Sequence, residues 1–551
     1  MKPQKLFYIL LILWVLADLL MAVFVPIHSD EAYYSLYGRF LDWGYFDHPP
    51  MVAILTHFSD FIFDGTLSIR FLTVLLHGAT VWLIWKTLPS KELTNRDVFV
   101  FFAIAASLVM FSIYGFMTTP DAPLLFFTAL FFYLYKCYLT SPKWSTALGI
   151  GITFAAMLYS KYMAVLVAGF ILLSNLKLLK DKKIWIAILL GALLFIPHIL
   201  WQIRNDFPSL QYHLLDRNMG FRIQYPLEYP LYQILVFNPV CFCLTSYFCW
   251  KKRKTEDLFE RAAIFTFVGF ILFFWLMTVK GHAEPHWTVA ASIPMIILLW
   301  TELRDTHCQK WIRYGIVPFF CLMMFLRIAA PPVMNAKPIK GFFDHYNYEA
   351  IHKYCDQAPA IFVDSFQDPS RYVFLTGAKS VPFSSFYGRR TQFDIWQFDK
   401  EMQGKPACFI ANAYTRGGHP GYEQVEMDKS SFLARKVEKL QGANRIQVTV
   451  NHYHVAKDTL FLNLTLFNPY ALDYDFAHPE FPTALFVGYV DGNIRHTVLC
   501  PTPSDLIIPA GKSITLSTTA CRIPTAPFVI CLDNSVCRSV NSKPTKLKAN
   551  D

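Results

Sequence analysis

The residues with chemistry to offer gather in one stretch, His28 to Met51, HSDEAYYSLYGRFLDWGYFDHPPM. Asp30 and Glu31 stand at the exit of a long apolar segment, Phe7 to Ile27, and Asp47-His48 precede the pair Pro49-Pro50. Further along, Asp121 opens an apolar run, Lys161 stands between two others, and His282, Glu284 and His286 share a short polar connection. A carboxylate fixed where a chain leaves a membrane is placed to work on a lipid head group as a base. A lysine with no partner in sequence is a phosphate contact, and imidazole with carboxylate suits a divalent cation. Each residue also has a plainer reading. Asp30 and Asp121 fit helix caps, Lys161 a side chain snorkelling to the interface, and the histidines ordinary interfacial polarity.

The elements around these residues are membrane elements. Between Glu31 and Gly44 no helix breaker precedes Gly38, and the Tyr, Leu, Phe and Trp residues fall on one face. That pattern predicts an amphipathic helix lying along the membrane surface. A second helix is expected over MVAILTHFSDFIF, since proline suits a first helical turn. The chain of 551 residues is 54% hydrophobic and 17% aromatic, with 51 Phe, and only 16% of it is charged. A soluble domain carries about 25% charged residues, so this is a polytopic membrane protein. The net charge of +10 belongs to the positive-inside bias of such proteins. No basic groove with interleaved aromatics supports a nucleic-acid partner.

Apolar runs near 5–27, 68–86, 97–115, 121–139, 145–160, 162–179, 184–201, 229–250, 262–279, 284–302 and 311–331 predict about eleven transmembrane helices. The first is expected to stay as an uncleaved anchor, because it is long and no Ala-x-Ala site follows. Asp18 within it is a costly charge at membrane depth. With the N-terminus inside, the cytoplasmic segments hold nineteen Lys and Arg, against seven in the longer outer loops. This orientation puts Asp30, Asp121, Lys161 and the 280–287 connection on the extracytoplasmic side of a plasma (inner) membrane. The cytoplasmic loops carry no glycine-rich phosphate loop.

Residues 1–334 therefore form a membrane domain with a reactive first outer loop, 28–67. Residues 335–440 mix apolar runs with turn residues and predict a small extracytoplasmic α/β region. From 441 to 540 short alternating strands predict a β-sandwich-like domain, and 541–551 an unstructured tail. Six of the twelve cysteines fall in this last third, where an oxidising compartment would permit disulfides whose pairing is open. Asn463 opens an NLT glycosylation pattern.

The ordered motifs Asp30-Glu31-Ala-Tyr-Tyr, Tyr45-Phe46-Asp47-His48-Pro49-Pro50, Thr119-Pro120-Asp121, Ser160-Lys161-Tyr162 and Glu284-Pro285-His286-Trp287 resemble those of the GT-C membrane glycosyltransferases of the protein O-mannosyltransferase and aminoarabinose-transferase type. Arg389 to Asp394 adds a familiar run without assigned chemistry. The resemblance implies a polyprenyl-monophosphate sugar as donor and transfer on the extracytoplasmic face with inversion. It implies a lipid, glycan or protein acceptor offering a hydroxyl or phosphate. Such transfer needs a base and stabilisation of the departing phosphate. Asp30 is the expected base, with Glu31 and Asp121 as companion carboxylates. Lys161, His48, Arg204 and Arg217 are the expected donor-phosphate contacts. Asp47, His48, His282, Glu284 and His286 are the expected ligands of a divalent cation. Where aminoarabinose transferases carry Glu-Lys before the two prolines, this chain has Asp47-His48.

Three other readings fit the architecture. A structural or receptor-like protein whose sandwich binds a partner outside would leave the polar first loop unexplained. A lipid-linked glycan polymerase or oligosaccharyltransferase would use a different donor. A transporter or flippase of lipid-linked sugars would need ionisable residues inside the spans, where the sequence shows few beyond Asp18 and His198.

Overall fold

The computed structural model describes residues 1–213, 220–304, 309–334, 346–411, 421–427, 430–492, 494–503 and 505–547. The chain forms two compact units, Met1–Lys340 and Gly341–Asp551.

In the first unit, proline in the first turn starts α1 (Pro3–Phe24). The first loop carries α2 (Ser29–Arg39) and α3 (Met51–Asp60), and α4 (Leu67–Thr87) returns through the bundle. Then come α5 (Asn95–Ser107), α6 (Val109–Ile113), α7 (Asp121–Thr140), α8 (Trp144–Ser160), α9 (Ala164–Ser174) and α10 (Lys182–Arg204). After α11 (Pro208–Gln211) follow α12 (Gln224–Val236), α13 (Pro239–Lys251), α14 (Leu258–Met277) and, through a 3-10 turn, α15 (Ser292–Leu303). A last helical stretch spans Ile312–Met334.

Every expected apolar run is helical, but not all are long. Among the described residues seven helices are long and apolar enough to cross a membrane, or eight if α12 and α13, bent by 105°, count as one. The expected run 97–115 breaks at Leu108 into α5 and α6. α9 has 11 residues and reaches about 16 Å, short of the ~30 Å hydrocarbon core.

The core of this unit is aromatic. Phe7 stacks on Trp85 at 4.7 Å, and the fully buried Trp300 donates its indole N–H to the carbonyl of Asp97 at 2.9 Å. α2 departs from expectation: all of its residues from Glu31 to Gly38 are buried, so it is a core helix. The apolar surface of the loop lies in its flanks, where Phe40, Trp43, Phe58 and Phe61 are exposed, as suits side chains at a membrane interface.

In the second unit, β1 (Ala360–Val363), β2 (Ser380–Phe383) and β3 (Ala407–Ala411) are parallel, and β5 (Ser430–Val437) joins β3 to β4 (Glu423–Met427) antiparallel, in the order β2-β1-β3-β5-β4. Helices Tyr348–Cys355 and Gln367–Thr376 share its apolar core. Strands β6 (Gln447–Ala456), β7 (Thr459–Phe467) and β12 (Ser513–Ala520) form one further sheet, β8 (Tyr474–Asp475) pairs with β11 (Ile507–Ile508), and β9 (Ala484–Asp491), β10 (Ile494–Cys500), β13 (Phe528–Asp533) and β14 (Arg538–Val540) form another sheet. In β7, Leu460, Leu462, Leu464 and Leu466 are buried in strict alternation, the period-two signature of a half-buried strand.

Three expectations change here. All described cysteines are free thiols, including the buried Cys355 and Cys408. Asn463 sits mid-strand, its amide joined to Asn451 and Ser517. The tail is built in as far as residue 547: Asn541 donates to Ala443 and Ile446 carbonyls, and Thr545 pairs with Phe528. The Arg389–Asp394 run is also structural. Thr391 and Asp394 form a capping box, and Arg445 binds Asp399 at 2.7 Å and Asp394 at 3.4 Å.

Gly38 is where α2 meets α3, since a Cβ there would lie 2.4 Å from Thr56 Oγ1 and 2.8 Å from the His57 backbone nitrogen. Gly38→Ala should therefore destabilise the protein by about 1–3 kcal/mol through overpacking, read as a lowered thermal unfolding midpoint. An unchanged midpoint would contradict this contact.

Candidate active site

The site begins with a buried ion pair. Arg70, in the first turn of α4, donates Nε to Glu31 Oε1 at 2.8 Å and Nη2 to Oε2 at 2.5 Å. Both side chains are 0% exposed. The remaining guanidinium donors reach the carbonyls of Ala22, Val25 and Pro26 at the end of α1. Glu31 also accepts from the backbone N–H of Thr118 at 2.9 Å and of His28 at 3.0 Å. Glu31 is thus not a surface acid. Its oxygens are occupied by Arg70 and two backbone donors, and its work is to hold α1, α2, α4 and the turn before α7 together.

The same geometry separates Asp30 from Glu31. His28 is the N-cap of α2, accepting from the Asp30 N–H at 3.2 Å, with Glu31 closing the capping box. Capping is therefore assigned elsewhere, and the Asp30 side chain remains 38% exposed. Its charge, with those of Asp47 and Asp121, acts on the buried Tyr34 one turn along α2. Burial first, and then these three carboxylates, raise the Tyr34 phenol well above its ordinary pKa. It stays an O–H donor. His48 meets the Tyr34 ring edge-on at 5.8 Å, and the buried Asp47 accepts from Tyr37 at 3.3 Å. Tyr114 lies within reach of the charges of Asp121, Asp30 and Glu284.

Asp121 and Lys161 are buried together, Nζ lying 2.7 and 2.8 Å from the two carboxylate oxygens. Neither plainer reading survives: Asp121 makes no cap bond at α7, and Lys161 does not snorkel. A chain of hydrogen bonds then ties the first loop to α10 and α11. His198 donates Nδ1–H to Trp43 O and accepts Tyr162 O–H at Nε2, Gln202 donates to Tyr162 and Ser209, and Ser209 donates to Tyr45 O. Trp201 donates to Asp42 at 2.7 Å.

Not every expected contact joins this cluster. Arg204 is exposed at the end of α10, and among the described residues no hydrogen bond or ion pair joins it to the carboxylates. Arg217 lies outside the described residues. The five expected metal ligands do not form one set. His282 approaches Glu284 at 3.7 Å and packs on Tyr225, whereas His286 faces Tyr114 and His48 faces Tyr34. Among the described residues no three His, Cys, Asp or Glu groups are arranged to share an ion.

The sequence by itself assigned no role to Arg70, Tyr34 or Thr118. Arg70 left one trace: it is a basic residue at the end of a span that the expected orientation places outside, against the positive-inside bias.

The family described as dolichyl-phosphate-mannose-protein mannosyltransferase matches residues 47–201, a range holding Asp47, His48, Asp121 and Lys161. ArnT from Cupriavidus metallidurans, in its apo state, superposes with a TM-score of 0.56 at 12% identity, covering 78% of this chain and 97% of that one. The chain has the fold of the GT-C membrane glycosyltransferases. It resembles them in motif and architecture, as a multi-pass membrane protein with a strand-rich C-terminal unit. Among curated proteins, lipid A galacturonosyltransferase RgtD of Rhizobium johnstonii is 24% identical over 286 residues, 49% of this chain; the chain spans 59% of that relative's length.

Removing Arg70 would leave Glu31 charged and buried without its partner. Arg70→Met is expected to cost about 3–5 kcal/mol, with part recovered in Glu31→Gln/Arg70→Met. Thermal unfolding of the three proteins checks this, and a single variant as stable as the parent would refute it.

Proposed function

We propose that this protein is a glycosyltransferase that moves a sugar from a polyprenyl-monophosphate donor to an acceptor hydroxyl or phosphate on the extracytoplasmic face of the plasma membrane. The observation carrying this reading is the convergence of Asp30, Asp47 and Asp121 on Tyr34, with Lys161 held against Asp121. A lipid acceptor is favoured by the likeness to a lipid A transferase.

The chemistry follows from the environments. Asp30 is the most exposed of the gathered carboxylates and takes the acceptor's proton. The acceptor oxygen bonds to the anomeric carbon from the face opposite the phosphate, inverting it, as the carbon–oxygen bond to the phosphate breaks. An ammonium has three donors, and Lys161 directs two contacts to Asp121, which leaves one for the departing phosphate. Asp121 holds that cation in place, and Tyr34 remains protonated to donate a hydrogen bond. A positioned charge of this kind acts where charge develops in the transition state.

Asp30→Asn removes the base but keeps its size, and General-base assistance is worth about 10²–10⁴-fold. Transfer by the purified protein, offered several polyprenyl-phosphate sugars and lipid acceptors, should fall by that range. Thermal stability should not change, because His28 is the cap. Near-normal transfer would overturn the assignment of the base.

The proposed sidedness puts the first loop and the C-terminal unit outside. Cysteine-accessibility labelling should find residues 40–66 reachable from outside intact cells and Lys251–Arg261 only after permeabilisation. Labelling of both from the same side would exclude it.

A further inference from the structure

A second group of charges lies within the membrane bundle, apart from the carboxylates around Tyr34. Asp18, 0% exposed in α1, accepts Arg327 Nη1 at Oδ1 (2.6 Å), and its Oδ2 meets His77 Nδ1 of α4 at 2.7 Å. The Trp14 indole N–H lies 3.2 Å from the same imidazole nitrogen. That nitrogen cannot both donate and accept, and the shorter, charge-assisted bond to Asp18 prevails. The Arg327 guanidinium lies over the Trp14 ring at 5.0 Å, and Nη2 reaches the Ser112 carbonyl at 3.5 Å. Ionisable residues at this depth are costly, yet none of these touches the candidate active site.

The group is built against the segment from α6 to α7. Phe111 packs edge-on to His77 at 4.8 Å, and Ser112 accepts from Arg327. At Gly115 a Cβ would lie 2.2 Å from His77 Nδ1 and 2.9 Å from Asp18 Oδ2, so backbone closes directly on the imidazole. The other residues of the same segment serve the site. Tyr114 faces the charges of Asp121, Asp30 and Glu284, Thr118 holds Glu31, and Asp121 holds Lys161. Residues 111–121 thus alternate between the intramembrane charges and the site. Arg327 comes from the last span, Ile312–Met334, of which only 6% is buried, so its guanidinium is a specific polar tie on an otherwise lightly packed helix.

We infer that Asp18, His77 and Arg327 act together as positioning residues for transfer, seating the segment that carries Tyr114, Thr118 and Asp121 through direct contact at Ser112 and Gly115. This rests on the transfer activity proposed above. Absence of transfer by the parent protein would count against that activity, whereas transfer indifferent to these residues would count against this inference alone. The test compares steady-state transfer and thermal unfolding in the full-length protein for Arg327→Met, Asp18→Asn/Arg327→Gln and Gly115→Ala. Misplacing catalytic groups by about 1 Å costs on the order of 10²-fold, and a loss felt only in the transition state appears in kcat. Arg327→Met and Gly115→Ala should each lower kcat by roughly 10- to 100-fold with donor KM little changed. The double variant, which removes both charges and keeps a hydrogen bond, should recover most of the kcat lost in Arg327→Met. Parent-like kcat in the folded fraction of both single variants overturns the inference. So does a loss that only tracks the folded fraction, or one confined to KM.

Discussion

Two opposite charges shut away from water, Glu31 and Arg70, are the constraint on which the rest of the first unit depends. An ion pair so placed is favourable only if its remaining donors and acceptors are also satisfied. Here the leftover guanidinium donors find carbonyls at the end of α1, and the carboxylate finds backbone donors at His28 and Thr118. Each bond that makes the pair tolerable also fastens another element. α1, the start of α2, α4 and the turn into α7 meet at one point because the charges cannot be left partly bonded.

The carboxylates of this unit illustrate how environment divides one chemistry into several tasks. Asp18 and Glu31 are fully buried and engaged by arginine. Asp121 is buried and engaged by lysine. Asp30, one residue before Glu31, is part-exposed and relieved of capping by His28. A carboxylate already holding an arginine is a poor base, because proton uptake would leave the arginine's charge buried and uncompensated. Asp30 is the part-exposed member of the set, and the cap of α2 does not depend on its side chain. That contrast underlies its place in the proposed transfer.

The second unit uses different physics. Its parallel strands are buried continuously, as in β1 and β3, while β7 alternates. The first pattern marks strands covered on both faces and the second strands covered on one. The motif Arg389–Asp394, conspicuous in sequence, serves to start a short helix and to receive Arg445.

What the sequence by itself determined is whatever depends on composition and local pattern. Apolar runs had to become helices, because an unbonded backbone is intolerable in lipid, and alternating leucines had to face a sheet core. The gathering of polar residues in a few connections was legible for the same reason, since charge is excluded elsewhere. Only the tertiary structure decided which charges meet. Arg70 lies 39 residues from Glu31, Lys161 40 from Asp121, and Arg327 309 from Asp18, and no local period links such positions. It also decided that α2 is buried, because its tyrosines suit an interface and a core equally well. The five expected metal ligands lie apart on the same ground: ligand types are visible in sequence, but their convergence is a property of the fold.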